Sequence, residues 1–459
     1  MGFADDHLIP LVDTGLGNSA YLVDLGDGRA LAVDAGRDLR ALYGTARRRG
    51  LTVTYAADTH LHADFLSGAV QLGHDSGATV LASAAGHRAF PHQGLADGDE
   101  VDLGGLTLRA LATPGHTDEH LSFLLLDGTR TLGVFTGGSL LVNSAARTDL
   151  LGPDRTDALA RAQYRSLQRL AALPDSTAVW PTHGAGSFCS APPGAERTTT
   201  IGAQKHANPL LAAPDEDAFV RLLTASLGSY PAYFDRLAAH NRRGPAVLTA
   251  DPVLPALGAR RVRELLAAGG GIVDVRPAAA YAAGHIPGAL SVPLRDQFAT
   301  WLGWLLPDDV PLAFVLDAGQ DPDEIVRQAY KIGYERLAGR LRGGMAAWLA
   351  DGNVQTRTPF VTADRAGDRP YLDVRQTAEF TAGHVPAAGH LELGELAARA
   401  ADVPADALVA CGHGERAMTA ASLLERAGRT DVAVLDGGHH QYAAAHGQRL
   451  VQGPEAPRP

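Results

Sequence analysis

The second half of the chain contains the same phrase twice, and this repeat limits the folds that are open to it. Asp-Val-Arg begins each copy, at 274–276 and 373–375, and Gly-His-Ile-Pro or Gly-His-Val-Pro follows shortly after. Copies of about one hundred residues are too long for the units of a solenoid and fit separate α/β domains. We therefore predict two domains, at 255–355 and 360–452.

The second copy contains a loop that is typical of thiol chemistry. A predicted buried strand at 408–410 continues into Cys-Gly-His-Gly-Glu-Arg at 411–416, and a helix is predicted to begin near Ala417. Backbone N–H groups and the helix N-terminus at such a turn stabilise a thiolate or a persulfide anion, and Arg416 adds positive charge. A buried structural cysteine is the alternative. The glycines and the arginine favour a catalytic Cys411.

The first copy lacks this loop. Each copy ends on a Gly-Gly pair, and counting back from the first of these pairs, at 343–344, aligns Asp317 with Cys411 and Pro322 with Arg416. A carboxylate cannot replace the thiolate, so we predict that the first copy is catalytically silent and that it spaces or docks its neighbours.

In the first half, histidines directly follow β-like runs. Thr-His-Leu-His-Ala-Asp at 59–64 follows a predicted strand at 52–57, and His116 and His183 stand in similar turns. Imidazoles and carboxylates are the ligands that zinc and iron prefer, and strands that end together can aim them at one cleft. The alternative is a set of surface histidines with a helix-capping aspartate. We predict a shared metal pocket.

The order of these motifs resembles that of the metallo-β-lactamase fold, in the glyoxalase II-like branch that contains the persulfide dioxygenases. The resemblance rests on Val-Asp-Ala-Gly at 33–36, the His-x-His-x-Asp segment, Thr-Pro-Gly-His-Thr around His116, Phe-Thr-Gly at 135–137, His183 and Ala-Arg-Thr-Asp-Leu at 146–150. The repeated phrases resemble the rhodanese (sulfurtransferase) domain. The implied α/β architecture is an αββα metallo-β-lactamase-like sandwich at 1–243, followed by two α/β/α rhodanese-like domains.

The resemblance implies a mononuclear Fe²⁺ on His60, His116 and a carboxylate after Phe-Thr-Gly. Gly138 occupies the carboxylate position, so we expect weak metal binding, with His62 as a third ligand, and we expect Gly138→Asp to tighten it. Zn²⁺ is the alternative metal. Phe65 stands where two-metal hydrolases of this fold carry histidine, which disfavours a second ion.

Further residues are expected around the metal, either as weaker ligands or as groups that orient the ligands. They are Asp34, Asp64, Asp149 and His183. Cys189 follows the His183 turn and is either a small core residue or a persulfide-carrying thiol at the mouth of the pocket.

The resemblance implies a function in sulfide and persulfide metabolism. A low-molecular-weight thiol persulfide would be oxidised to sulfite at the iron, Cys411 would transfer sulfane sulfur, and Arg416 would hold the anionic acceptor, sulfite or thiosulfate. Two alternatives stay open. One is a zinc-dependent thioester hydrolase of glyoxalase II type, and the other is a metal-poor first domain that only presents persulfide to Cys411.

Composition excludes several other classes of protein. A net charge of −11 disfavours nucleic acid as a partner. Two cysteines rule out a disulfide framework and suit a reducing compartment. With no signal-like start and no apolar run of membrane-spanning length, we expect a cytoplasmic protein without a membrane partner. Association with a second copy is left open.

Overall fold

The computed structural model describes residues 3–189 and 196–453. They form two compact units. The first comprises the chain up to Pro252 together with Arg327–Gly333, and the second comprises Val253–Val326 with the chain from Tyr334 onward. Within the described ranges, no helix has both the length and the apolar character needed to cross a bilayer.

Two six-stranded sheets form the centre of the first unit, and in each sheet neighbours in space are also neighbours in the chain. The first sheet contains β1 (Leu8–Asp13), β2 (Asn18–Asp24), β3 (Arg29–Val33), β4 (Thr52–Ala57), β5 (Thr79–Ser83) and β6 (Gln93–Leu95). The second contains β7 (Glu100–Asp102), β8 (Thr107–Ala112), β9 (Leu121–Asp127), β10 (Arg130–Gly137), β11 (Ala178–Pro181) and β12 (Thr199–Thr200). The helices are α1 (Phe3–Asp6), α2 (Arg40–Arg49), α3 (Ala69–Ser76), α4 (Pro153–Ala171), α5 (Ile201–Ala207), α6 (Glu216–Ala225) and α7 (Phe234–Arg243).

The main core of this unit lies between the two sheets. Leu31 of β3 packs there with Phe123 of β9 and Phe135 of β10. Because successive side chains of a strand point to opposite faces, Ala32 faces the other way and packs with residues of α2 and α3. Helices α4 and α6 pack in the same manner on the second sheet. This layering confirms the predicted αββα sandwich.

The second unit contains two five-stranded sheets with the same topology. Along each copy the strands lie in the order first, fifth, fourth, second, third, and neighbouring strands run parallel. The first sheet contains β13 (Ala256–Leu257), β14 (Gly271–Asp274), β15 (Leu290–Ser291), β16 (Leu312–Val315) and β17 (Leu337–Leu341). The second contains β18 (Phe360–Val361), β19 (Tyr371–Asp373), β20 (Gly389–His390), β21 (Leu408–Cys411) and β22 (Ala433–Gly438).

Crossover segments connect these parallel strands, and most of them contain an α-helix, whereas those from β18 to β19 and from β20 to β21 contain only short 3₁₀ turns. The helices of this unit are α8 (Ala259–Ala267), α9 (Ala278–Ala283), α10 (Phe298–Leu305), α11 (Pro322–Lys331), α12 (Gly344–Ala350), α13 (Thr377–Ala382), α14 (Glu415–Arg426) and α15 (His439–Ala445). The two copies of the sequence repeat are therefore two copies of one α/β fold, as predicted. Helix α14 begins slightly earlier than predicted, because Gly414 already adopts the left-handed conformation (φ 87°) that precedes it.

Candidate functional site

Loops at the ends of strands from both sheets bring three histidines together. His60 follows β4, His116 follows β8 and His183 follows β11. One ring nitrogen from each lies within 4.8 Å of the other two. All three side chains are buried, with at most 1 % of their surface exposed. The predicted convergence of these motifs on one pocket is therefore present in the fold.

The other ring nitrogen of each histidine has a fixed hydrogen-bond partner. Nδ1 of His116 lies 2.7 Å from the carbonyl oxygen of Arg147, and Nδ1 of His183 lies 3.0 Å from Oδ1 of Asn18. Nδ1 of His60 lies 2.9 Å from Oγ1 of Thr59, whose hydrogen is donated to Asp34. Since these partners accept, each Nδ1 carries the hydrogen and each Nε2 keeps its lone pair.

The three Nε2 atoms fit a metal ion. Within the described residues none of them has a hydrogen-bond partner, although all are buried. Burial, together with the neighbouring imidazoles, lowers the pKa of His60 well below its usual value and that of His116 to about 3. Both rings are therefore neutral at neutral pH. Buried, neutral imidazoles whose far nitrogens are held by hydrogen bonds are the usual ligands of zinc and iron.

His62 lies beside this cluster but is oriented differently. Its Nε2 lies 3.1 Å from Oδ1 of Asp34, which leaves Nδ1 without a partner among the described groups. His62 forms its own metal-competent group with Asp64 and His183. The geometry thus favours His183, expected only as a weaker candidate, over His62 as the third nitrogen beside His60 and His116.

Asp34 orients the histidine loop. Its carboxylate accepts hydrogen bonds from the backbone N–H of Thr59 at 2.7 Å and from the hydroxyls of Thr59 and Thr182. Burial would raise the pKa of Asp34, but the charge and hydrogen bond of His62 outweigh it and lower the pKa to about 2. Asp34 also adopts a left-handed backbone (φ 51°), which is unfavourable for a residue other than glycine and is typical of functional sites.

Gly138 leaves no room for the carboxylate that the resemblance implies. A Cβ atom at this position would lie 2.9 Å from Cγ of His116 and closer still to its Cδ2. The backbone N–H of Gly138 is held at 3.0 Å by Nε2 of His120. His120 is buried, stacks on His60 and was not singled out from the sequence. In the sequence, the one feature that points to His120 is its position four residues after His116.

Asp149 supplies no ligand to the metal pocket, and Cys189 supplies no open thiol. Both carboxylate oxygens of Asp149 accept hydrogen bonds from Arg147, at 2.7 and 2.8 Å, so Asp149 does not bend into the pocket. Cys189 is 1 % exposed, which agrees with the first of its two expected roles, a small core residue. Burial raises the pKa of its thiol well above the usual value, which keeps it a poor nucleophile. Asp64 does lie at the site, with Oδ2 3.2 Å from Nδ1 of His183.

The second unit positions Cys411 as the sequence predicts, although it is more buried than expected. Cys411 ends β21, is 2 % exposed and accepts a hydrogen bond from the N–H of Gly414 at 3.2 Å from Sγ. Arg416 lies in the first turn of α14, but its guanidinium is not free. It forms two hydrogen bonds to Glu379, of 2.6 and 2.8 Å. Glu379 belongs to no motif of the sequence, and its role is visible only in the fold.

The first rhodanese-like copy differs at all three of these positions. Asp317 and Pro322 replace the cysteine and the arginine, and the position that corresponds to Glu379 is Ala280. The thiol, the guanidinium and its carboxylate partner are therefore absent together, which is consistent with a copy that carries no sulfur chemistry.

Two families match the chain. The metallo-β-lactamase superfamily matches residues 13–183, and the rhodanese-like domain matches twice, at 259–351 and 361–445. The chain joins a metallo-β-lactamase-fold domain to two rhodanese-like domains.

Known proteins resemble this fusion in part. The metallo-β-lactamase domain is 33 % identical over 172 residues to a hydroxyacylglutathione hydrolase of Methylococcus capsulatus; the match covers 36 % of this chain and 62 % of that protein. A metallo-beta-lactamase structure from Staphylococcus aureus has 29 % identity and a TM-score of 0.64, and the match covers 72 % of this chain and 98 % of that one. ETHE1 from Myxococcus xanthus has 31 % identity and a TM-score of 0.45, over 51 % and 97 % of the two chains.

Proposed function

We propose that the chain oxidises a low-molecular-weight thiol persulfide to sulfite at the histidine centre and transfers sulfane sulfur at Cys411. The observation that carries this proposal is the pairing, in one chain, of a buried centre of three imidazoles with a cysteine loop of rhodanese type. Both sites act on the same kind of sulfur, because a persulfide is the substrate of the first and the covalent intermediate of the second.

The proposal assigns a single ion to His60, His116 and His183, because two positions that would complete a second site are altered. Phe65 stacks on His62 with ring centroids 4.1 Å apart, where a two-metal hydrolase would place a further ligand. The ring of His116 fills the space beside Gly138, where the shared carboxylate would begin. Iron at His60, His116 and His183 would supply redox chemistry with dioxygen while leaving open coordination positions. The histidines orient and hold it through their Nδ1 hydrogen bonds.

Atoms and charge balance when the oxidation is followed by the sulfur transfer. One persulfide, one dioxygen and one water give the free thiol, sulfite and two protons. A second persulfide passes its outer sulfur to the thiolate of Cys411 and releases its own thiol. Sulfite then attacks the outer sulfur on Cys411, the S–S bond breaks, and thiosulfate leaves as the cysteine is regenerated. Arg416 is placed to hold the anionic acceptor once it is released from Glu379.

A zinc-dependent thioester hydrolase is the second candidate. It is supported by the name of the hydroxyacylglutathione hydrolases to which the first domain is similar. The ligands missing at Phe65 and Gly138 argue against it, since such hydrolases use a metal-activated hydroxide. The two free cysteines fit a reducing compartment, so we propose that the protein acts in the cytoplasm.

Metal analysis of the purified protein together with oxygen consumption tests this proposal. We expect about one iron per chain and, on addition of a thiol persulfide, one sulfite formed per dioxygen consumed, recovered as sulfite and thiosulfate together. Zinc with thioester hydrolysis and no oxygen consumption would establish the hydrolase instead. A protein that binds neither metal and consumes no oxygen would leave the first domain as a module that only presents persulfide.

A further inference from the structure

The silent rhodanese copy contacts helix α14 of the active copy at both of its ends. At the first turn, Arg295 forms an ion pair of 2.9 Å with Glu415. Towards the last turn, the backbone N–H of Ser291 donates to Oγ of Ser422 at 3.0 Å, and both serines are fully buried. Helix α14 is the element that begins directly after the Cys411 loop. Contacts at its two ends restrict both its tilt and its position along its axis.

The contact with the most hydrogen bonds is made by Glu425, near the C-terminal end of α14. Its Oε1 accepts hydrogen bonds from the N–H of Gly288 and the hydroxyl of Thr356, both at 3.1 Å. Its Oε2 lies 2.8 Å from Nε2 of His285, a residue of the Gly-His-Ile-Pro phrase. The three partners of this carboxylate all belong to the silent copy or to the segment that follows it.

His285 is held at both of its ring nitrogens. Its Nδ1 lies 2.9 Å from the carbonyl oxygen of Tyr281, and a carbonyl can only accept, so Nδ1 carries a hydrogen. Its Nε2 lies 2.8 Å from Oε2 of Glu425 and 2.8 Å from Oγ1 of Thr356, which itself lies 3.1 Å from Oε1 of Glu425. The imidazole, the hydroxyl and the carboxylate therefore form one hydrogen-bond network across the contact, in which each group fixes the orientation of the other two.

The equivalent histidine of the active copy has no such partner. Nδ1 of His384 lies 2.9 Å from the carbonyl oxygen of Phe380, just as in the silent copy. Its Nε2 is buried and has no partner among the described residues. The Nδ1 bond thus belongs to the fold, whereas the bond from Nε2 of His285 belongs to the contact with α14.

We infer that the silent rhodanese copy is a positioning domain, which holds α14 so that the Gly414 N–H and Arg416 stay aligned with the sulfur of Cys411. This inference rests on the proposed role of Cys411 as a sulfur carrier. It gives the silent copy a function that needs no thiol: His285, Ser291 and Arg295 act through α14 and do not touch the substrate.

Substitution of Glu425 in the full chain tests this inference. Glu425→Ala removes the carboxylate that bonds Gly288, Thr356 and His285. We expect kcat for sulfur transfer from thiosulfate through Cys411 to cyanide, which gives sulfite and thiocyanate, to fall about tenfold or more, because small misalignments of reacting groups have large effects on rate. Amide hydrogen exchange at residues 412–418 should become faster. Glu425→Gln keeps an oxygen for Gly288 and should restore part of both properties.

Phe314→Leu provides the matched control. Phe314 is fully buried in the central strand β16 of the silent copy, so the variant lowers the stability of that copy without removing a contact to α14. We expect its melting temperature to fall while kcat and exchange at 412–418 stay at wild-type values, measured at a temperature where all variants are folded.

Two results would overturn the inference. One is a Glu425→Ala protein with wild-type kcat and wild-type exchange at 412–418. The other is a Phe314→Leu protein that loses as much kcat as Glu425→Ala, since the effect would then follow stability alone. If the wild-type chain transfers no sulfur, the proposed function fails instead, and the exchange rates of the variants still decide whether the silent copy positions α14.

Discussion

Gly138→Ala tests whether the pocket can accept any side chain at the position where a carboxylate was expected. The structure puts the added methyl group 2.9 Å from Cγ of His116 and closer still to Cδ2, against a normal carbon–carbon contact of about 3.5 Å or more. Neither the backbone at Gly138 nor the ring of His116 can move freely. The N–H of Gly138 is bonded to His120, and His116 is bonded through Nδ1 to the carbonyl of Arg147.

The cost of this overlap should appear in metal binding. Inserting a methyl group into a well-packed site typically costs about 1–3 kcal/mol. If the strain is relieved by rotating His116 away from His60 and His183, that cost corresponds to a loss of metal affinity of about 5- to 150-fold. Gly138→Asp should weaken binding as well, which contradicts the expectation from sequence that it would tighten it.

Competition of Zn²⁺ or Fe²⁺ against a chromophoric chelator, with thermal unfolding in parallel, measures this effect. Gly228→Ala is the matched control, because a Cβ atom there has no heavy atom within 4 Å and its backbone is not left-handed. Wild-type affinity in Gly138→Ala, or tighter binding in Gly138→Asp, would show that His116 yields without loss and would refute the packing argument.

Two further predictions concern Glu379 and Cys189. In Glu379→Gln we expect KM for thiosulfate to fall by about three- to tenfold, because the charged hydrogen bonds that occupy Arg416 are weakened. The control is Glu395→Gln, whose partner Arg399 lies on the surface and which should leave this KM unchanged. A higher KM in Glu379→Gln would show that Glu379 is needed to orient Arg416. Burial alone would raise the pKa of Glu379, but the hydrogen bonds and charge of Arg416 lower it. The ion pair is therefore fully formed above the usual glutamate pKa of about 4.3 and is lost as pH falls through the lowered pKa of Glu379. At that low pH the KM values of the wild-type protein and of Glu379→Gln should converge. Iodoacetamide should leave Cys189 unmodified in the native protein and modify it after unfolding, as peptide-resolved mass spectrometry would show; rapid native modification would contradict its burial.

Patterns of short range predicted most of the fold. The apolar run at 52–57 is β4, and the repeated Asp-Val-Arg phrases end matching strands at Asp274 and Asp373 of sheets with one topology. Local periodicity and turn residues are sufficient for such elements. The predicted boundaries at 243, 255, 355 and 360 remain predictions.

The arrangement inside the sites was harder to predict, because it depends on contacts between distant parts of the chain. His183 joins His60 and His116 through its bond to Asn18, and Glu379 reaches Arg416 from another helix. No spacing in the sequence encodes either contact. Cys189 shows the same limit, since its loop allows either a core residue or a persulfide-carrying thiol, and only its packing shows that it is buried.

The products formed from a thiol persulfide in wild-type protein and in Cys411→Ser test the central claim most directly. Both proteins should consume dioxygen at equal rates, since Cys411 takes no part in the oxidation. The wild-type chain should release thiosulfate, whereas Cys411→Ser should release sulfite alone. Equal thiosulfate from both proteins, or loss of oxygen consumption in Cys411→Ser, would contradict the division of the chemistry between the two sites.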